Sequence, residues 1–267
     1  MYEVIEIGMA SYSRLYDYHI RDVYGADFSL KGFDRPWLME AHAWQRGEKV
    51  LDVGAAYSSV PIDLQAKHGL EVWVADDYGL KSNEPFWTRN RSPQEHIAAH
   101  PEVKFVLERL GSADSTLPEN YFDVVYSLSA LEHVPGPLTP AVWAHMDRLL
   151  KPGGEMIHAI DLPFPNNSGL GGLLKVLAFD ACSPVLPAGL RHRYQLASAR
   201  TYLKLAFGPI RVRSFPTAGL SPLRMAFEPD ILTENPVHGL NRILKDGNKD
   251  FRYTRIGSLL VHIRKAA

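Results

Sequence analysis

Between residues 48 and 162 the chain alternates strand-like and helix-like patterns, and that alternation leaves few folds open. Lys49-Val50-Leu51-Asp52-Val53 is a short apolar strand running into a turn rich in Gly, Ala and Ser. A helix over residues 62–68 follows and stops at Gly69. Residues 71–75 read as a second strand ending at Asp76 and Asp77, and residues 103–107 as a third. The fourth, 122–127, is almost continuously apolar, as a strand buried on both faces should be. A helix around 141–150 closes at Lys151-Pro152-Gly153-Gly154, and residues 155–160 form the fifth strand. Repeated strand–helix units in so short a stretch predict an α/β fold with a doubly wound, mostly parallel sheet and right-handed crossovers.

The flanks are less regular. Residues 1–47 are dense in Tyr and Trp, with Tyr12 and Tyr16 four apart and Pro36 at a plausible first helical position. They predict an N-terminal helical cover, packed on the core or partly over a ligand cleft. Residues 163–208 read as an insert, with a Pro/Gly/Asn-rich opening before the apolar residues Leu173, Leu174, Val176, Leu177 and Phe179. Residues 209–267 are expected to supply two last strands, near 210–215 and 258–263, within one single domain. The segment between Asp180 and Glu228 has no acidic residue and seven basic ones, Arg191, Arg193, Arg211 and Arg213 among them. This bias reads as a solvated face or as a seat for an anionic acceptor.

Composition narrows the function. A net charge of −1 argues against a nucleic-acid binder. One cysteine excludes a disulfide framework and a Cys-based zinc site, and it suits a reducing compartment. Asp161 with Asn166 and Asn167 reads as turn chemistry before it reads as a magnesium site, and no metal is expected. The acidic N-terminus carries no secretory pattern and no apolar stretch is long enough to span a bilayer, so the expectation is a soluble, cytoplasmic protein.

Ligands of open α/β sheets sit outside the carboxyl ends of the strands. The first such turn is Asp52-Val53-Gly54-Ala55-Ala56-Tyr57-Ser58-Ser59, where Gly54 permits a tight turn and Ala55 and Ala56 allow close approach to the backbone. Asp76, at the end of the next strand, either accepts hydrogen bonds from ribose hydroxyls or caps the next helix. A dinucleotide site requires G-x-G-x-x-G for its pyrophosphate, and only one of those glycines is present. The carboxylate of Asp52 favours a cationic group there instead.

These residues resemble the class I S-adenosylmethionine-dependent methyltransferases of the small-molecule group. Asp52-x-Gly54-x-Ala56-x-Ser58 matches the family's acidic glycine-rich turn with its two later glycines replaced. Leu117-Pro118 before Phe122-Asp123, the pair Glu132-His133, and Leu150-Lys151-Pro152-Gly153-Gly154 match its other motifs, in order, across residues 48–162. The resemblance implies a seven-stranded sheet, with the last strand antiparallel and the insert recognising the acceptor. It further implies S-adenosyl-L-methionine as cofactor and methyl transfer to oxygen or nitrogen of a small molecule. The implied cofactor contacts are Asp52, Gly54, Ala55, Ala56 and Tyr57 at the methionine end, and Asp76 (or Asp77) at the ribose. Asp114 is implied at the adenine, with Ser127 and Leu128 near the methyl group. His133 either takes a proton from the acceptor or supports the strand–helix junction. The two rival readings are an inactive, cofactor-sensing or scaffold protein on the same fold, and a nucleotide-dependent oxidoreductase.

Overall fold

The computed structural model describes residues 1–79, 92–112, 114–163, 174, 177–178, 181–182, 199–213, 219–234 and 256–267. Its frame is one sheet. In chain order the strands are β1 (Tyr2–Met9), β2 (Lys49–Val53), β3 (Glu71–Ala75), β4 (Lys104–Val106), β5 (Phe122–Leu128), β6 (Leu150–Pro163), β7 (Thr233–Glu234) and β8 (Ile256–Lys265). Their order across the sheet is β1-β8-β6-β5-β2-β3-β4, with the two-residue β7 beside the start of β8. Strands β2 to β6 are parallel, and β8 runs antiparallel to both β6 and β1. The doubly wound α/β class is therefore as expected, with eight strands in place of seven.

Helices α1 (Tyr12–Ile20), α2 (Leu30–Ala41) and α3 (Val60–His68) pack on one face of the sheet. The segment α4 (Pro93–Ala99) leads towards β4 behind a Ser92/Glu95 capping box. Helices α5 (Thr139–Leu149) and α6 (Ala199–Ala206) cover the other face. Alternation within the strands divides the core accordingly: Leu51, Val125 and Met156 join Trp143 on the α5 side, while Val50, Val124 and Ile157 join Trp37 on the α2 side. Among the described residues no helix is long and apolar enough to cross a membrane.

Three expectations need correction. The N-terminal cover is helical only from Tyr12, because residues 2–9 form an edge strand. A bulge between Val4 and Glu6 explains why it escapes a period-two reading: Tyr2 and Val4 before it, and Ile7 and Met9 after it, all pack on the α5-side core. That strand occupies the place expected for residues 210–215, of which Val212 makes a single parallel bridge to Tyr2; Ser214 and Phe215 lie outside the described residues. Pro36 sits in the middle of α2, not at its start. Ser29 caps the helix by accepting from the Gly32 amide, so the helix begins a turn and a half earlier. Of the apolar run in the insert, only Leu174 and Leu177 are described, and Leu174 is exposed.

Two of the sequence motifs turn out to serve folding at the amino ends of the strands. Asp123 accepts from the Lys49 amide (2.8 Å) and from Lys151 Nζ (2.6 Å), tying β2, β5 and β6 together. Gly153 has φ +81°, and a Cβ on Gly154 would stand 2.9 Å from the Asp123 carbonyl oxygen. The Phe-Asp and Lys-Pro-Gly-Gly runs therefore set the sheet's register far from any ligand.

Candidate active site

The strand order reverses at β2: β3 and β4 follow it to one side and the chain then returns to lay β5 on its other side, so the crevice opens above the carboxyl ends of β2, β3 and β5. Asp52 stands in register between Val74 and Tyr126 and is almost completely buried. Burial, with the nearby charge of Asp76 adding to it, pushes its carboxyl up to about 7, while the Tyr126 hydroxyl and Lys31 work the other way. A carboxylate held at that cost is suited to a cationic ligand group.

The turn after β2 keeps its expected shape without the family's later glycines. Gly54 has φ +76°, donates its amide to the Ala75 carbonyl (2.9 Å), and would place a Cβ 2.6 Å from the Ala130 Cβ. Ala56 adopts the left-handed region with φ +49°, so the turn is retained at a backbone cost. Ser58 is outside that region, donates its amide to the Ala55 carbonyl and accepts from the Val60 amide. Glycine is thus required at 54, advantageous at 56 and unnecessary at 58. Gly54→Ala is expected to cost roughly 2 kcal/mol or more, and Ala56→Gly to gain about 1 kcal/mol, both read by urea denaturation. Equal stability of the two variants would contradict this account of the turn.

Asp76 closes the crevice from the β3 side. Its Oδ2 accepts from the Ala56 amide (2.7 Å) and its Oδ1 from the Tyr78 amide (2.6 Å), so the first turn and the end of β3 are locked through one carboxylate. Asp77 points elsewhere: its Oδ2 accepts from Arg109 Nε at 2.8 Å and its Oδ1 from the Gly79 amide at 3.0 Å. Tyr57 packs edge-on against Tyr78 and His96, making an aromatic wall beside Asp76. Sequence reading missed Tyr78 and His96, since neither belongs to a motif and only the fold brings them to the crevice. Asp114 lies exposed on a turn, with its amide on Ser112 Oγ. Ser127 is fully buried and its hydroxyl lies 2.9 Å from His158 Nδ1, while Leu128 beside it is half-buried.

Past β5 a 3-10 turn, Leu131–His133, places Glu132 inward and His133 outward. The His133 ring is half exposed, with Nε2 3.7 Å from Glu132 Oε1. Glu132 is 6% exposed and its carboxyl is held well above the usual carboxylate range by burial and by the charge of Asp161. Asp34, fully buried on α2, is likewise raised, by burial and then by Asp161. Asp161 comes from β6. Lys31 on α2 and the Ser129 and Ser258 hydroxyls favour ionised Asp34 but too weakly to prevail, while Tyr202 and His133 face Glu132. An acid whose folded pKa is raised loses stability as pH rises from the unfolded value through the folded one. Asp34→Asn is therefore expected to raise the melting temperature at alkaline pH by roughly 3 °C. That gain should close as pH falls towards the ordinary carboxylate range. A variant that melts lower at every pH would contradict it.

A family model described as a methyltransferase domain matches residues 51–158. Those residues are a methyltransferase domain of the class I fold. Over 110 residues the chain is 29% identical to sterol 24-C-methyltransferase of Pneumocystis carinii, covering 41% of this chain and 27% of that protein. The matched part is thus about a quarter of that relative's length. Among solved structures, phosphoethanolamine N-methyltransferase 2 of Haemonchus contortus in complex with S-adenosyl-L-methionine aligns with a TM-score of 0.51 at 13% identity, over 96% of this chain and 57% of that one. Geranyl diphosphate C-methyltransferase of Streptomyces coelicolor A3(2), in complex with Mg2+, geranyl diphosphate and S-adenosyl-L-homocysteine, aligns with a TM-score of 0.50 at 12% identity, over 98% and 90%. At these identities the structures show a shared fold. Every crevice residue described above except Lys31, Asp34, Asp161 and Ser258 falls within the matched residues.

Proposed function

We propose that this chain transfers a methyl group from S-adenosyl-L-methionine to a small-molecule acceptor by in-line displacement at the sulfonium. The observation that carries the reading is Asp76. Each of its oxygens is fixed by one backbone amide, leaving further lone pairs for the two vicinal hydroxyls of a ribose. Asp77 is the poorer candidate because Arg109 and the Gly79 amide already engage it. Asp52 would face the methionine ammonium, with the backbone of Gly54, Ala55 and Ala56 and the ring of Tyr57 around the methionine part. Asp114 and its neighbours stand on the β4 side, where the adenine would lie. Ser127 and Leu128 end the strand nearest the transferred methyl, and His133 stands at the rim.

The sulfonium arrives activated, so what these residues contribute is alignment and exclusion of water. The turn that lost two glycines keeps the shape a cofactor seat needs, which weighs against an inactive scaffold. Calorimetric titration with S-adenosylhomocysteine, with NAD as control, tests the reading. Micromolar binding of the first alone is expected. Binding of NAD instead, or of neither, would overturn it.

A further inference from the structure

The cluster of Asp34, Glu132 and Asp161 lies where α2 crosses the carboxyl ends of β5 and β6 and the start of β8, on the opposite side of Asp52 from Asp76. Both carboxylate oxygens of Asp34, Glu132 Oε2 and Asp161 Oδ1 are buried without a hydrogen-bond partner. A second, independent observation comes from β8: the Ser258 hydroxyl, on a fully buried residue, also lacks a partner there. Ser258 is the register partner of Asp161 across β6 and β8, and it faces Asp34. An unsatisfied buried acceptor destabilises the fold, and like charges brought together do so further. Among the described residues no group of three His, Cys, Asp or Glu is arranged to hold a metal ion, these three included. What satisfies such a set is a positively charged group carrying several N–H donors.

We propose that this cluster is the acceptor subsite, that it takes a primary or secondary aliphatic amine, and that the methyl group goes to the amine nitrogen. The inference rests on the methyl-transfer reading above and names its substrate class. The amine arrives as an ammonium, paired with the carboxylates. One N–H bond breaks as its proton passes to a carboxylate oxygen of Glu132 or Asp161, leaving a neutral nitrogen with a free lone pair. That lone pair forms the N–C bond to the methyl carbon while the C–S bond breaks, its electrons remaining on sulfur. The product leaves as a methylated ammonium, and the carboxyl returns its proton to water. The polar lining favours an amine over an olefinic acceptor, which would need aromatic or aliphatic walls. Arg211 and Arg213 flank the backbone of Tyr2, at the amino ends of the parallel strands, and Arg191 and Arg193 lie outside the described residues.

The test uses matched probes, butylamine with butanol and phenethylamine with phenethyl alcohol and phenylacetate, titrated into the full chain with and without S-adenosylhomocysteine. At least one amine is expected to bind tenfold or more tightly than its alcohol or acid. Asp161→Asn and Glu132→Gln should each lose at least tenfold of that affinity. Both should keep S-adenosylhomocysteine affinity within twofold and melt no lower than the native chain, since either amide relieves the crowding of three carboxyl groups. An alcohol or acid binding as well as every amine, or an Asp161→Asn chain with undiminished amine binding, would overturn the inference. Because the two ligands are read separately, lost S-adenosylhomocysteine binding with retained amine preference sinks the donor reading, and the converse sinks this one.

Discussion

Asp76→Ala is expected to weaken S-adenosylhomocysteine binding at least 100-fold, about 3 kcal/mol, while Asp77→Ala changes it threefold or less. The difference follows from what each carboxylate already holds. Asp76 is buried, its oxygens anchored by the Ala56 and Tyr78 amides, so removing it would delete the proposed ribose acceptor and release the turn after β2 together. Asp77 is engaged by Arg109 at the rim. Asp76→Asn separates the two contributions, because one amide oxygen still accepts from a backbone N–H. It is expected to bind between native and Ala. Calorimetry on the three variants decides the matter, and equal losses for Asp76→Ala and Asp77→Ala would contradict the assignment.

The second large effect lies at the opposite end of the sheet. Glu155, buried at the amino end of β6, accepts from His262 Nε2 and His42 Nδ1, both at 2.8 Å, and from Arg264 Nε (2.9 Å) and Nη2 (2.6 Å). Burial alone would raise its carboxyl, but His262, His42 and Arg264 outweigh that and hold it well below the usual range. Glu155→Gln is expected to lower stability by about 3 kcal/mol, because the buried His262, the half-buried His42 and the Arg264 guanidinium lose their shared acceptor. That corresponds to a melting temperature lower by roughly 9 °C. The sign with pH follows from the depressed pKa. The contribution is complete above the unfolded carboxylate value and is lost as pH falls towards the folded one, so native and variant should converge in acid. Thermal melts at pH 7 and pH 3 measure this. S-adenosylhomocysteine affinity should not change, since the network lies at the far end of the strands from Asp76.

Much of this fold was legible in the chain because the parallel strands are short apolar runs ended by Gly, Asp or Ser. Lys49–Val53 and Glu71–Ala75 are where periodicity placed them, and Gly69 ends α3 in the left-handed conformation as expected. Strand β1 was hidden by its bulge, which breaks alternation at Ile5, and by its partner β8 lying more than 240 residues away in sequence. The beginning of α2 was hidden because Pro36 looks like a first-turn proline while Ser29 does the capping. In the site, Asp52, Gly54 and Asp76 could be read from local spacing. Asp34 and Ser258 could not. One lies on a helix that no motif marks and the other on the last strand, and only the crossing of α2 over β6 and β8 brings their charges and hydroxyls together. Burial, which gives those groups their chemistry, is not a local property of sequence.

The central claim is that the carboxyl ends of β2, β3 and β5 seat the nucleoside and methionine of the donor, with the methyl-bearing sulfur turned towards Glu132 and Asp161. A crystal structure of the chain with S-adenosylhomocysteine tests it most directly. The ribose hydroxyls are expected within hydrogen-bond distance of Asp76, the amino group beside Asp52, and the sulfur on the side of the crevice that faces Glu132. A ligand bound with its ribose away from Asp76, or with its sulfur turned from the carboxylate cluster, would contradict the account.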